Sequence, residues 1–310
     1  MKRQQAFTEN GKKFLKGGLH CHTTRSDGKL TPEETIRYAA SQGYDFMALT
    51  DHQIYNFINY APETGMLIIP GMEYGNDLVK GNGFRCFHTV CLGPSKEDGN
   101  GFEQDQRFEW GTEPTSEKYQ PWLDAAHEKK NLTILCHPIW SQTSAKYFET
   151  QQGNFAMEIW NSGSAIYGDC DDDAAYWDEI LGQGKLWYGV ATDDAHETET
   201  LCKGWVMVKA DKEINSILSA LEKGEFYSSC GPEIYDFYVD SGKAFIDCSP
   251  VSRIRLQSDM HPNRVIIDEN GKLTHAEFDI VNFWAGAYDY VRISIVDENG
   301  KKAWTNPIFL

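Results

Sequence analysis

Six of the nine histidines in this 310-residue chain fall at the ends of short apolar runs, and carboxylates accompany them. The first case is Leu19-His20-Cys21-His22-Thr23-Thr24-Arg25-Ser26-Asp27-Gly28. In an extended segment, residues two apart share a face. His20 and His22 therefore reach a common point while Cys21 turns away, and Asp27, in the turn beyond, can return an oxygen to the same place. Four further runs and one carboxylate repeat the theme: Thr50-Asp51-His52, Gly71-Met72-Glu73, Phe87-His88, Cys136-His137-Pro138 and Thr192-Asp193-Asp194-Ala195-His196. One HxH pair is more often packing than ligation, but so many such endings in one chain are not produced by packing. Imidazole with carboxylate suits Zn, Mn or Fe, whereas an oxygen-only shell would suit Mg or Ca. The other histidines, His127, His261 and His275, read as surface or packing residues.

Something must bring these endings together. Up to about residue 230, short apolar runs alternate with helical patterns, which is the α/β signature. The runs lie near Leu19–His22, Phe46–Thr50, Met66–Ile69, Cys86–Leu92, Leu132–Cys136, Ala156–Trp160, Trp187–Thr192 and Trp205–Val208. Several are continuous rather than alternating, as in a parallel sheet covered on both faces. In a barrel of parallel strands the C-terminal ends converge on one mouth. Thr31, Pro32 and Glu34 spell a capping box at a helix start, and Gly43 closes that helix. Helices are also expected over Asp171–Leu181 and Asp211–Lys223. The polar stretch Gly93–Pro121 reads as an excursion over the mouth, a lid. After Gly231-Pro232, period-two runs separated by Asp240-Ser241-Gly242, Glu269-Asn270-Gly271 and Glu298-Asn299-Gly300 predict a small antiparallel β domain. The expected division is residues 1–231 and 232–310, the second unit packed on the first because its own core is small.

The HxHTxxSDG opening, TDH, GxE, single strand histidine, CHP and terminal DAH together resemble the PHP (polymerase and histidinol phosphatase) superfamily over residues 18 to about 231. The resemblance implies a distorted (β/α)7 TIM-like barrel with two or three divalent ions. Position by position, it implies His20, His22, Asp27, His52, Glu73, His88, His137, Asp194 and His196 as ligands. It makes Glu73 the carboxylate bridging two metals and places Asp194 near the nucleophilic water, with His196 beside it. Asp193-Asp194 stands where the family usually has Ser-Asp; the register with Ala195-His196 favours Asp194, with Asp193 as the alternative. The β tail and Phe226-Tyr227-Ser228-Ser229-Cys230-Gly231-Pro232 resemble the carbamate-hydrolysing branch.

Nine ligands exceed one ion and suit two or three. Three carboxylates contribute −3, so two or three divalent ions leave a positive site that welcomes an anionic ester. A water between two metals has its pKa lowered towards roughly 7, and no side-chain nucleophile is required. The expected activity is hydrolysis of a small phosphate ester, with a carboxylic or carbamate ester or amide as the alternative. A non-catalytic metal-dependent binding module is the reading from another class. Arg25 and Arg85 are candidate phosphate clamps, and Glu158 and Asn161 candidate residues of the mouth. Trp140 and Trp160 could wall a pocket. Strand alternation sends Cys21 and Cys136 away from the metals, whereas Cys86 shares parity with His88.

The formal charge of −17 and the scattered Lys and Arg make nucleic-acid polymers and anionic membranes poor partners. The polar N-terminus, the lack of an 18-residue apolar stretch and the absence of CxxC pairs lead us to expect a cytoplasmic chain with free thiols. Phe283, Trp284, Tyr288 and Tyr290 would form a binding platform if exposed and interface core if buried.

Overall fold

The computed structural model describes residues 3–8, 11–81, 83–94, 101–113, 115–170, 172–261, 264–282 and 286–310. The strand Phe14–Gly18 delivers the chain to His20 and His22, and the helix Pro32–Ser41 follows with the expected capping box between Thr31 and Glu34. Ile36 and Ala39 bury its inner face. Strands Phe46–Ala48 and Leu67–Ile69 then run parallel to the first.

A second sheet begins directly after Pro70, ordered Gly71–Lys80, Gly83–Leu92, Leu132–Leu135, Ala156–Asn161 and Tyr188–Thr192. Its last three strands are parallel. The first three are antiparallel, which corrects the all-parallel reading. Lys80 pairs with Gly83 across a tight hairpin that has Gly81 at φ 59°, so the two long strands must reverse direction. Cys86–Leu92 resembles a parallel strand in sequence because both of its faces are covered, and periodicity does not record direction. Trp205–Lys209 is likewise antiparallel to Phe14–Gly18.

The two sheets enclose one apolar interior, with Leu19, Phe46, Ile69, Val90, Ile134, Val190, Val206 and Phe226 all buried in it. Helices Ser116–Glu128, Ala174–Leu181 and Ile214–Glu222 cover the strands from outside. The expected excursion is partly helical: Thr115 caps the helix that contains Pro121. Residues 101–113 fold back onto the sheet, where Asp77 and Gly111 donate to Gly111 and Gly75 respectively. Residues 95–100 and 114 of that stretch lie outside the described residues.

The C-terminal region is antiparallel β, as the alternation predicts. Ile234–Asp240, Lys243–Val251, Arg253–Ser258, Leu273–Asp279 and Tyr290–Val296 bury Phe237, Ile246, Ile254, Phe278 and Ile293 in a second core. Gly242, Gly271 and Gly300, the turn glycines read from the sequence, all have positive φ. This region is stitched to the rest at several places. Phe226–Ser229 pairs with Lys302–Thr305, so one sheet runs through both regions; Gln4–Gln5 pairs with Ile234–Asp240; and Arg292 and Tyr290 grip Asp178 of the outer helix. Tyr288 and Tyr290 are buried, while Phe283 and Trp284 lie outside the described residues. Among the described residues no helix is long and apolar enough to cross a membrane.

Candidate metal centre

Glu73 is the centre of the site. It enters at the start of Gly71–Lys80, completely buried, and its two oxygens divide the surrounding imidazoles. Oε2 lies 3.2 Å from His20 Nε2, 3.1 Å from His22 Nε2 and 2.9 Å from His52 Nδ1. Oε1 lies 3.0 Å from His88 Nδ1 and 3.4 Å from His137 Nε2. Asp194 Oδ1 approaches His20 and His22 at 3.3 and 3.1 Å, with Oδ2 3.7 Å from His137. Asp27 joins the outer edge, 3.4 Å from His196 Nε2 and 3.7 Å from His52 Nε2. All nine sequence-derived ligand candidates are thus brought together. They form overlapping groups with ligand atoms mutually within 4.8 Å: His20, His22, Glu73 and Asp194; His52, Glu73 and His88; Glu73 and His137 with Cys136; and His22, Asp27, His52 and His196.

The local chain is bent to achieve this. His137 and Asp194 have φ values of 31° and 50°, a conformation costly for residues with side chains and held here by the packing around them. Of the two adjacent acids, Asp194 faces the histidines. Asp193 turns the other way and accepts hydrogen bonds from the backbone N–H groups of Cys202, Lys203 and Gly204 at 2.7–2.8 Å. Asp51 of the Thr-Asp-His motif is also structural: it accepts from the backbone and hydroxyl of both Thr23 and Ser26, fixing the turn that carries Asp27. Ser141 meets His137 Nδ1 at 2.8 Å and Asp77 meets His88 Nε2 at 3.1 Å.

Glu158 requires a correction. Expected at the mouth, it is instead fully buried beneath the cluster. Its Oε1 lies 2.6 Å from both His20 Nδ1 and the Thr192 hydroxyl; its Oε2 accepts from the His137 backbone N–H at 2.9 Å and from Asn161 Nδ2 at 2.8 Å. Asn161 also reaches Asp194 Oδ2 at 3.3 Å. Both residues orient ligands, leaving them no free face for substrate. A carboxylate behind a ligand imidazole fixes its tautomer and raises its basicity.

The proposed arginine clamps are also turned elsewhere. Arg25 donates to Asn56 and Asp105, and Arg85 donates to the Gln142 carbonyl while lying over the Tyr147 ring. Neither lines the cleft above Glu73. That cleft, of about 310 Å³, is walled by Trp140, Gly163, Ser164, Tyr167 and Thr200 together with the exposed edges of the ligands. Trp160 is core, packed where Gly204 leaves room for its ring. Trp110, from the returning excursion, sets its ring 5.2 Å from that of His52 and 5.8 Å from that of His88. Sequence reading missed Trp110, Tyr167 and Thr200, since no spacing rule links loop residues to a site. Cys21 is buried away from the ligand groups, but Cys136 is not: its thiol sits among Glu73, His137, His20 and Glu158. Strand parity fails there because the strand ends at Leu135. Cys86 is buried against Ser141 Oγ at 3.2 Å.

Charge complementarity follows from this packing. Burial works to lower the His20 and His22 pKa values, but Asp194 and Glu73 outweigh it, taking His20 well above its ordinary range and His22 up to about 9. Burial alone would raise Glu73, yet His20, His52 and His88 hold it well below the ordinary carboxylate value. His52 is lowered by burial and by its imidazole neighbours despite Glu73. The donor set fits divalent ions on one further observation: Glu73 Oε2 and His52 Nδ1 are buried, 2.9 Å apart and without a hydrogen-bond partner, as two atoms of a ligand set would be.

The PHP domain family model matches residues 18–228. The chain belongs to the PHP family. That match spans every residue of the cluster and stops at the strand from which the C-terminal β region departs. Over 59 residues the chain is 42% identical to a 5'-3' exoribonuclease of Haemophilus influenzae, a stretch making up 18% of this chain and 22% of that protein. The chain thus spans about a fifth of the curated relative it matches. Among solved structures, it is similar to a two-domain protein from Bacteroides vulgatus containing a predicted PHP-like metal-dependent phosphoesterase: 13% identity, TM-score 0.49, covering 99% of this chain and 98% of that one. It is also similar to an amidohydrolase from Chromobacterium violaceum, at 15% identity and TM-score 0.41, covering 60% of this chain and 89% of that one. PHP membership and the His, Asp and Glu groups together support a divalent-metal site.

Proposed function

We propose that this PHP protein is a phosphoesterase that hydrolyses a small phosphate ester at the Glu73 cluster, on a distorted (β/α)7 barrel with residues 232–310 as a packed β domain. The observation that carries the reading is the division of imidazoles between the two Glu73 oxygens, which suits a carboxylate shared by neighbouring ions. His20, His22 and Asp194 would hold one ion with Glu73 Oε2; His88 and His137 a second with Oε1; and Asp27, His52 and His196 a third. Two or three divalent ions, of Zn, Mn or Fe type, would supply Lewis acidity and a water acidic enough to attack near neutral pH when bound.

The remaining work falls to side chains. Asp194 reaches the cleft, with 15% of its side chain exposed, and would orient the attacking water and take its proton. His196, 35% exposed, stands at the open edge where an ester oxygen enters. Glu158 and Asn161 keep His20 and Asp194 in register. No serine or cysteine nucleophile is needed.

Elemental analysis of the purified protein, beside a panel of phosphomonoester, phosphodiester, carboxylic ester and carbamate substrates after metal reconstitution, tests the reading. Two or three equivalents of metal with chelator-sensitive phosphoester turnover is the expected result. Turnover confined to the carbamate or carboxylic ester would replace the phosphoesterase assignment, and failure to retain any metal would overturn the centre itself.

A further inference from the structure

The walls of the cleft say what kind of ester fits. Among the described residues lining it there is no lysine or arginine. The basic side chains nearest in sequence to the ligands are occupied: Arg25 with Asn56 and Asp105, Lys29 with Glu197, Arg85 with the Gln142 carbonyl. With ions held by the cluster, those ions rather than a lysine or arginine would supply the positive charge in the cleft, among the described residues.

The side wall is aromatic. Trp140 is 37% exposed and Tyr167 61%, and both rings line the cleft. They are neighbours: a Cβ on Gly168 would lie 3.2 Å from Trp140 Cδ1, so the indole packs against the residue that follows Tyr167. Each ring is anchored. Trp140 stands edge-on to His137 with centroids 5.0 Å apart, and the Tyr167 hydroxyl is held by Glu197, itself held by Lys29. The cleft, about 310 Å³, is at the small end of ligand-site volumes.

We propose that this cleft takes an ester bearing a single phosphate group on a small, uncharged, planar body, and that Trp140 and Tyr167 form the subsite on which that body stacks. The proposal rests on the phosphoesterase reading and adds to it the part of the substrate that does not react. A polyanion fits poorly, since beyond its first phosphate it would meet Glu197 and a surface of net charge −17 rather than a basic groove.

Calorimetric titration of the metal-loaded, full-length protein with inorganic phosphate, benzylphosphonate, butylphosphonate and a short oligothymidylate tests this. Expected are binding of phosphate, about tenfold tighter binding of benzylphosphonate than of butylphosphonate, and oligothymidylate no tighter than phosphate. Trp140→Ala and Tyr167→Ala should each erase most of the benzyl preference while leaving inorganic phosphate unchanged, and Tyr167→Phe should restore it. Equal binding of the two phosphonates, an undiminished preference in both alanine variants, or oligothymidylate as the tightest ligand overturns the subsite. Failure of metal-loaded protein to bind inorganic phosphate at all removes the phosphoesterase reading, and the subsite with it.

Discussion

Two concavities open on opposite ends of the same strands, and the larger is the poorer in chemistry. It measures about 510 Å³ and lies where the helices Ser116–Glu128 and Ile214–Glu222 meet the starts of Leu132–Leu135 and Ala156–Asn161. His127, Lys130, Asn131 and Glu222 line it, but its polar groups are spent on the scaffold: His127 Nε2 meets the Thr133 hydroxyl at 2.9 Å, and Asn131 receives the Tyr55 hydroxyl at 3.0 Å. The smaller cleft gathers eight further candidate ligand side chains around the buried carboxylate of Glu73. Position along the strands contributes to the contrast: His20, His22, His52, His137, Asp194 and His196 lie just beyond strand ends and turn inward, where they meet Glu73 and His88, which project from within the paired strands Gly71–Lys80 and Gly83–Leu92.

The comparison breaks first at Glu73. Glu73→Ala and Asp194→Ala should lose bound metal and bring hydrolysis down to the level of the chelated protein, while Glu222→Ala in the larger cavity leaves both at wild-type values. Metal content and turnover measured on the same preparations decide it, and full activity in either cluster variant would end the assignment.

A smaller effect is expected below the cleft. Glu158→Gln replaces an acceptor with an amide that cannot serve His20, Thr192, His137 and Asn161 at once. Metal affinity should fall by roughly 10- to 100-fold, while the melting temperature of the metal-free protein changes little by comparison. Unchanged affinity in a competition titration would show that Glu158 is packing alone.

Proton release sharpens the contrast further. His22 in the metal-free site has its pKa raised to about 9 by Asp194 and Glu73 against the pull of burial, so at pH 7 a bound metal must displace a proton. The sign follows from the raised value: this group stabilises the metal-free fold below its unfolded value near 6.5, and that stabilisation is lost as pH rises through 9. Metal-binding heats at pH 7 should therefore depend on the ionisation enthalpy of the buffer, with the dependence fading above pH 9. Buffer-independent heats at pH 7 would contradict the charge pairing.

Much of this cluster is legible in the chain because most of the candidate ligands follow a strand ending, a local signal of an apolar run and then a histidine; Glu73 and His88, read the same way, instead lie inside paired strands. The capping box at Thr31 and the turn glycines of the β region are legible for the same reason. What sequence does not show is direction and reach. Nothing in Cys86–Leu92 says that its partner runs antiparallel, because a strand buried on both faces has the same composition either way. Glu158 looks like a mouth residue because it sits near a strand end, but it points inward, and only the packed structure reveals four partners waiting for it. Cys136 fails by one residue of register. Arg85 fails by reach, since its long side chain is drawn to Gln142 and Tyr147 rather than to the ligand three residues on.

The smallest effect belongs to the larger cavity. His127 contributes one hydrogen bond to Thr133, whose hydroxyl still has Asn154 Oδ1 as an acceptor at 2.7 Å, so His127→Ala leaves no buried donor stranded. The expected cost is about 0.5–1.5 kcal/mol, with metal content and turnover unchanged. Burial lowers the His127 pKa, Asp124 only partly opposing, so its contribution is fully present above the unfolded value near 6.5 and is lost as pH falls from there through the lowered folded value. The stability gap between wild type and variant should accordingly narrow in acid, as measured by thermal unfolding at pH 7.5 and 5. A loss of turnover in this variant would mean that the two ends of the strands are energetically coupled, and that the larger cavity belongs to the function rather than to the scaffold alone.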